Sequence, residues 1–332
     1  MIGAAGGMGL WAARHWFAEL DDVTSITLCD VEPLTDDARK VLSDAAAGID
    51  YVRAGTAGPS GLSLVDWEPV RTACDVPTVP PQLDQMDLVA LAVPLSAIGA
   101  VMDGLSGRVT PGAWLIDMAS VKGAPLKEML EKAGDGVSVV GTHPLFGITG
   151  DSLAGRTVVL VPTESDDGDL LGWLGEGLAG LGANTMQVTA DRHDRYMLIA
   201  QTMTHFALLA FGDAVTRSLR GDESLEELRQ FGTPPYLAMG NVAGRLLTQN
   251  HRLYASIQQA DGAEQIRESF ARAAADLASS FNRGSLDDIE AEIDGLADRY
   301  GVRELSTSTR LSELMFQSGA IDPGEDTVGD DS

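Results

Sequence analysis

Four short segments of this 332-residue chain carry side chains able to move a proton or hold an anion. In GTHPLFG (141–147), His143 is fixed before a proline, between glycines, at the end of an apolar run. An imidazole there can accept a proton near neutral pH, as the removal of hydride from a carbinol carbon requires. The competing reading is a structural histidine. The segment DMASVKG (117–123) closes another apolar run and puts Ser120 and Lys122 where ligands bind in parallel sheets, or else supplies a helix N-cap and a solvated lysine. Gln201 and His205 stand four apart in QTMTHFALLAFGDA, on one helical face. They form a polar strip facing a cleft, or a helix seam. Arg245, among small and apolar residues in NVAGRLL, needs an anion, from an internal carboxylate or from a substrate. His193 and His15 read as structural.

The chain opens on MIGAAGGMG, with Gly3, Gly6 and Gly9 at spacing three. In the strict G-x-G-x-x-G register the positions are Ala4, Gly6 and Gly9, so the first glycine is replaced. Gly6 then lets backbone N–H groups approach a pyrophosphate, and Gly9 lets the helix pack on the sheet. Asp30 ends the apolar run ITLCD, where a carboxylate accepts from a ribose 2′-hydroxyl and repels a 2′-phosphate, favouring NAD over NADP. The cofactor-binding candidates are Gly3, Gly6, Gly7, Met8, Gly9 and Asp30, with Val93 and Pro94 at the end of DLVALAVP. Only Met1 and Ile2 precede the glycines, so the first strand reads as truncated. A misassigned start, with the true strand upstream, accounts for it.

These segments need a scaffold. Apolar runs at 26–30, 87–94, 113–120, 137–144 and 156–162 alternate with helical patterns at 9–20, 97–105, 125–132 and 169–181. That alternation predicts a mostly parallel sheet covered by helices. From Asp191 helical periodicity takes over, with Asp191 and Asp194 capping a long helix through Arg217. Helices follow at 236–248, 264–281, 286–300 and 303–316. The expected organisation is α/β: a Rossmann-type NAD-binding domain (1–190), an all-α domain (191–320) and a disordered acidic tail (321–332). Gly55–Pro81 reads as an irregular insertion.

The net charge is −26, from 49 acidic and 23 basic residues, which disfavours nucleic acid and anionic membranes as partners. The acidic, lysine-poor surface suits a halophilic source and predicts greater stability in molar KCl than in dilute buffer. No uninterrupted apolar run approaches a membrane span, and a cytoplasmic location is expected. Two cysteines, Cys29 and Cys74, read as buried thiols; no metal site is expected.

GAAGGMG, DMASVKGAPLKEML, GTHPLFG, MTHFALLAFGDA and MGNVAGRLLTQNHRLYASI occur in the order and spacing of the prephenate dehydrogenase family of tyrosine biosynthesis, which the chain resembles from Gly3 to Leu314. The resemblance implies a Rossmann-type domain, a helical domain that forms a homodimer, and an active site between them. It implies NAD(P)-dependent oxidative decarboxylation of prephenate, or of arogenate. His143 matches the family's catalytic histidine and Ser120 the serine that hydrogen-bonds it and the substrate hydroxyl. Arg245 matches the carboxylate-binding arginine, and His205 a second histidine of the substrate pocket; Lys122 and Gln201 join the substrate-binding set. Ala4 departs from the family's glycine, and the 55–81 segment has no counterpart role. Neither a chorismate mutase domain nor a regulatory domain is expected. A catalytically silent NAD-binding sensor is the reading from a different class.

Overall fold

A computed structural model describes residues 1–4, 6–30, 63–64, 83–148 and 150–317. The acidic tail, Cys74 and nearly all of the 55–81 segment lie outside the described residues.

The strands are β1 (Thr27–Leu28), β2 (Ser63–Leu64), β3 (Leu88–Leu91), β4 (Trp114–Asp117), β5 (Ser138–Pro144), β6 (Thr157–Pro162) and β7 (Asn184–Gln187). The order β3-β4-β5-β6-β7 makes one sheet, parallel except where β5 meets β6, and β1 pairs in parallel with β2. Ile2 bridges Cys29 on one side and Leu91 on the other, which joins β1 to β3 through the chain's first residues. Its N–H donates to Ala90 O and its carbonyl accepts from Ala92 N–H, both at 2.8 Å. The Met1 ammonium donates to Thr27 O, and burial pushes its pKa down to about 6.

Strand side chains alternate between two cores. Ala90, Ile116 and Val140 face a cluster built with α1 (Gly7–His15) and α4 (Asp169–Gly180), where Trp16, Leu170 and Leu178 are fully buried. Val89, Leu91, Leu115 and Val139 face the other, built with α2 (Ile98–Leu105) and α3 (Gly123–Lys132). Strands buried on both faces read as continuous apolar runs, which is why their sequence shows no alternation. Cys29 is half-buried, and burial pushes its thiol pKa up.

The helical region holds α5 (Ala190–Met197), a π-helical turn (Leu198–Met203), α6 (Thr204–Ser218), α7 (Leu225–Gln230), α8 (Pro234–Thr248), α9 (His251–Gln258), α10 (Ala263–Arg283), α11 (Leu286–Tyr300) and α12 (Val302–Gln317). The expectation had neither α7 nor α9, both short. The chain divides into two compact units after Met197, later than the expected boundary. Helix α5 belongs with the first unit because His193 and Asp194 bond to it. In the second unit α6 packs on α8, with Gly212 opposite Ala243.

One helical stretch, Ala190–Ser218, is long and apolar enough by length and composition to cross a bilayer. An 18-residue window in it has mean hydropathy 1.3 and is 6% buried. The uninterrupted-run criterion passes it over because Gln201, Thr202, Thr204 and His205 interrupt the apolar residues.

Candidate active site

The glycine turn follows Ile2, which bridges to Cys29 and Leu91. Gly3 has φ +86°, and a Cβ on it would stand 2.5 Å from Ala92 O and 2.9 Å from Val93 Cγ1. A Cβ on Gly9 would meet Gly3 O at 2.3 Å, so helix α1 reaches the turn only with glycine there. Gly3 is therefore the turn-forming residue, and buried Ala4 follows it. Gly6 is the N-cap of α1, with Gly7, Met8 and Gly9 in the first turn, whose N–H groups have no intrahelical acceptors. Such a helix start favours a phosphate. Gly3 N–H and Ala4 N–H both donate to Cys29 O, which sets Asp30 one residue from the turn. Pro94 caps the 3-10 turn after β3. The segment after β5 folds over this corner: Ile148 Cδ1 lies 2.7 Å from where a Gly7 Cβ would be. Trp11 Nε1 donates to Gly150 O, and the Arg156 guanidinium lies over the Phe146 ring.

His143 stands at the end of β5, 4% exposed. Its Nδ1 is 2.8 Å from His193 Nε2, with the rings edge to face. His193 Nδ1 is 2.7 Å from Asp194 Oδ1. Burial, then the charge of Lys122 and then His193, hold the His143 pKa well below the usual 6.5. At neutral pH it is an uncharged imidazole, the form that accepts a proton.

Lys122 does not stand at a ligand surface. It is fully buried, and its Nζ donates to Asp117 Oδ2 at 2.5 Å and to Thr142 O at 2.7 Å. Burial pushes the Asp117 carboxyl up and the Lys122 ammonium down, and the contact between them opposes both shifts. Gly141 makes room: a Cβ there would meet Lys122 Cδ at 2.9 Å. Thr142 Oγ1 donates to Asp117 O, tying β5 to β4 beside His143. Ser120 is half-buried in the turn between Asp117 and Lys122. The expectation of Lys122 as a substrate ligand fails because its ammonium is already coordinated inside the protein.

Asp194 also departs from expectation. It does not cap its own helix, where Thr189 Oγ1 accepts from Arg192 N–H. Its Oδ1 accepts from Lys122 N–H (2.7 Å) and its Oδ2 from Gly123 N–H (2.8 Å), at the start of α3. Burial alone would raise its pKa, but the bonds from His193, Gly123 and Lys122 outweigh burial and lower it.

In the second unit, the His205 ring meets Tyr254 edge to face with centroids 4.9 Å apart. Its Nδ1 is buried without a hydrogen-bond partner, and burial lowers its pKa. Arg245, exposed on α8, lies close enough to act electrostatically on Tyr254. Gln201 lies in the π-helical turn, half-buried. His205, Tyr254 and Arg245 thus form one neighbourhood. His15, as expected, serves structure, against the Trp11 ring.

Residues 73–187 match the family model described as prephenate dehydrogenase, nucleotide-binding domain. A 4-amino-4-deoxyprephenate dehydrogenase of Streptomyces pristinaespiralis is 32% identical over 278 residues, spanning 82% of this chain and 88% of that protein. The chain belongs to the prephenate dehydrogenase family. A probable arogenate/prephenate dehydrogenase of Methanocaldococcus jannaschii is 36% identical over 52% of this chain, which spans only 38% of that longer relative. Prephenate dehydrogenase from Aquifex aeolicus shares the fold, with TM-score 0.65 at 16% identity over 89% of this chain and 96% of that one. A second structure of that enzyme, in complex with hydroxyphenyl propionate and NAD+, gives TM-score 0.53 at 19% identity over 63% of this chain and 74% of that one.

His193 and Asp194 are the site residues that sequence reasoning missed. A His-Asp pair opening a helix straight after a strand was the available signal; His193 was read as structural and Asp194 as capping.

Proposed function

We propose that this protein catalyses NAD-dependent oxidative decarboxylation of prephenate to 4-hydroxyphenylpyruvate, with His143 as proton acceptor. The observation that carries the reading is the neutral, buried imidazole of His143 at the end of β5, in a family of prephenate dehydrogenases. The glycine turn fits a dinucleotide: Gly3 and Gly9 leave space that a Cβ would fill, beside the start of α1. Gly6, Gly7, Met8 and Gly9 would take the pyrophosphate, Val93 and Pro94 would flank it, and Asp30 would take the ribose 2′-hydroxyl, which favours NAD over NADP. The Aquifex aeolicus complex, with its NAD+, supports the same assignment.

Bound nicotinamide supplies the hydride acceptor. His143 takes the proton of the ring 4-hydroxyl as hydride leaves the carbon bearing it. The ring carboxylate departs as CO₂, leaving its electron pair in a ring that becomes aromatic. Aromatisation supplies the driving force, so the chain's residues need only orient the substrate and manage one proton. Ser120 holds the hydroxyl and the imidazole. Arg245 pairs with a substrate carboxylate, for which a planar two-pronged donor is suited. His205, with its unpartnered Nδ1, and Gln201 supply further polar contacts. Lys122 acts on His143 by its charge.

A homodimer formed through the helical unit accompanies this reading. Phe231, Leu286 and Val302 are 75%, 82% and 83% exposed, and an 18-residue apolar window within Ala190–Ser218 is only 6% buried. A second copy would bury these surfaces in a cytoplasmic protein, and sedimentation at twice the chain mass tests it.

The activity test is NADH formation with prephenate, arogenate and 4-amino-4-deoxyprephenate in parallel. The highest kcat/KM with prephenate supports the assignment. A higher value with either amino compound moves the substrate, and no turnover from a folded, NAD-binding protein makes it a sensor.

A further inference from the structure

We propose that His193 and Asp194 are positioning residues that set the tautomer of His143, so that His143 presents Nε2 as its basic nitrogen. The inference rests on the proposed role of His143 and adds to it the groups that fix where its proton sits.

The argument follows the hydrogen-bond chain inward from the carboxylate. An ionised carboxylate only accepts, so the 2.7 Å contact from His193 Nδ1 to Asp194 Oδ1 requires the proton on His193 Nδ1. A neutral His193 then has an acceptor at Nε2. The atom 2.8 Å from it, His143 Nδ1, must carry the proton of that bond. The remaining nitrogen of His143, Nε2, is left in its basic form. When His143 takes up a substrate proton, its Nδ1–H still points to His193, and Asp194 stabilises the charge at one remove.

Asp194 is itself held. Its two oxygens accept the N–H groups of Lys122 and Gly123 at the first turn of α3, where the helix favours negative charge. His193 and His143 are 2% and 4% exposed, so no bulk water competes for the bond between them. The same carboxylate therefore anchors the turn carrying Ser120 and orients the base. A histidine that merely filled space in a helix seam would need neither bond.

The test reads the proton directly. The chain has five histidines, and ¹⁵N-histidine labelling of the NAD-loaded protein at neutral pH distinguishes protonated from bare ring nitrogens. In the wild type, His143 should carry its proton on Nδ1. In Asp194→Ala His193 Nδ1 loses its acceptor, so nothing holds the His193 proton on that nitrogen. His143 should then no longer keep its proton on Nδ1 alone, and kcat should fall ~10²–10⁴-fold with KM changed less than about threefold. His193→Leu should fall similarly. His193→Gln, whose side-chain oxygen can accept from His143 Nδ1, should recover most of the rate.

A wild-type His143 protonated at Nε2, or a tautomer unchanged in Asp194→Ala, overturns the proposal, as does an unimpaired His193→Leu. Should Asp194→Ala fail to fold, the wild-type spectrum and the Leu/Gln pair at position 193 still decide. The spectrum needs no turnover: the expected tautomer in a protein inactive on every substrate would sink the proposed reaction and leave the relay standing.

Discussion

His143 Nδ1 and His193 Nε2 lie 2.8 Å apart, although fifty residues separate them in the chain. The contact joins the end of β5 to the start of α5, and through Asp194 it reaches the turn before α3. Three segments that look independent in sequence are thus one polar network around the base. Its counterweight is Lys122, whose buried charge lowers the His143 pKa after burial itself.

The Lys122–Asp117 pair is a structural element whose halves depend on each other. Lys122→Met strands a buried carboxylate and should cost about 3–5 kcal/mol of stability. Asp117→Leu added to it removes the stranded charge and should recover at least about 1 kcal/mol, the remainder reflecting Thr142 O and Ala119 N–H left unbonded. Urea denaturation of the single and double variants checks both values.

The pH dependence follows from the lowered pKa of His143. Burial leads the shift, and the groups acting on it are Lys122, itself bonded to Asp117, and His193, itself bonded to Asp194. Activity needs the neutral imidazole, so the acid limb of kcat/KM should fall below pH 6.5. Stability has the matching sign. Below pH 6.5 the unfolded chain binds a proton that folded His143 refuses, so stability falls as the pH drops from 6.5 toward the folded pKa, by at most about 1.4 kcal/mol per pH unit. Denaturation midpoints across that window, with His143→Asn as reference, measure this contribution.

Gly9→Ala should push α1 off the turn, since its Cβ would lie 2.3 Å from Gly3 O. Overpacking of this kind costs roughly 1–3 kcal/mol. Calorimetry should show weaker NAD binding together with a lower Tm.

Arg245→Ala should raise the KM for prephenate more than it lowers kcat, by ~10–100-fold, because a ground-state carboxylate contact is lost. Arg245→Lys should recover little, since an ammonium cannot reproduce a two-pronged bond. Steady-state kinetics of the two variants separate these effects.

Much of this architecture was legible in sequence for a definite reason. Strands buried on both faces make apolar runs, and β3 to β6 fall inside the runs read for them. His143 stood out because a histidine between a buried strand and a proline has few structural uses. Lys122 was misread because its burial depends on Gly141 and Asp117, partners on neighbouring strands that no local pattern reveals. His193 was missed for the same reason: its partner lies on β5, and a helix start has no periodicity to mark a buried position. Ala4 occupies the strict motif position, while Gly3 has the positive φ, a backbone state that spacing alone does not reveal. The π-helical turn at Leu198–Met203 left no compositional trace.

The central claim is that His143 removes the proton during oxidation of prephenate. The most direct measurement is joint NADH and CO₂ release from prephenate by wild type and His143→Asn, with NAD binding by both as control. We expect equimolar NADH and CO₂ from the wild type, and a kcat ~10²–10⁴-fold lower in a variant that still binds NAD. A variant that binds NAD and turns over at the wild-type rate would contradict the account.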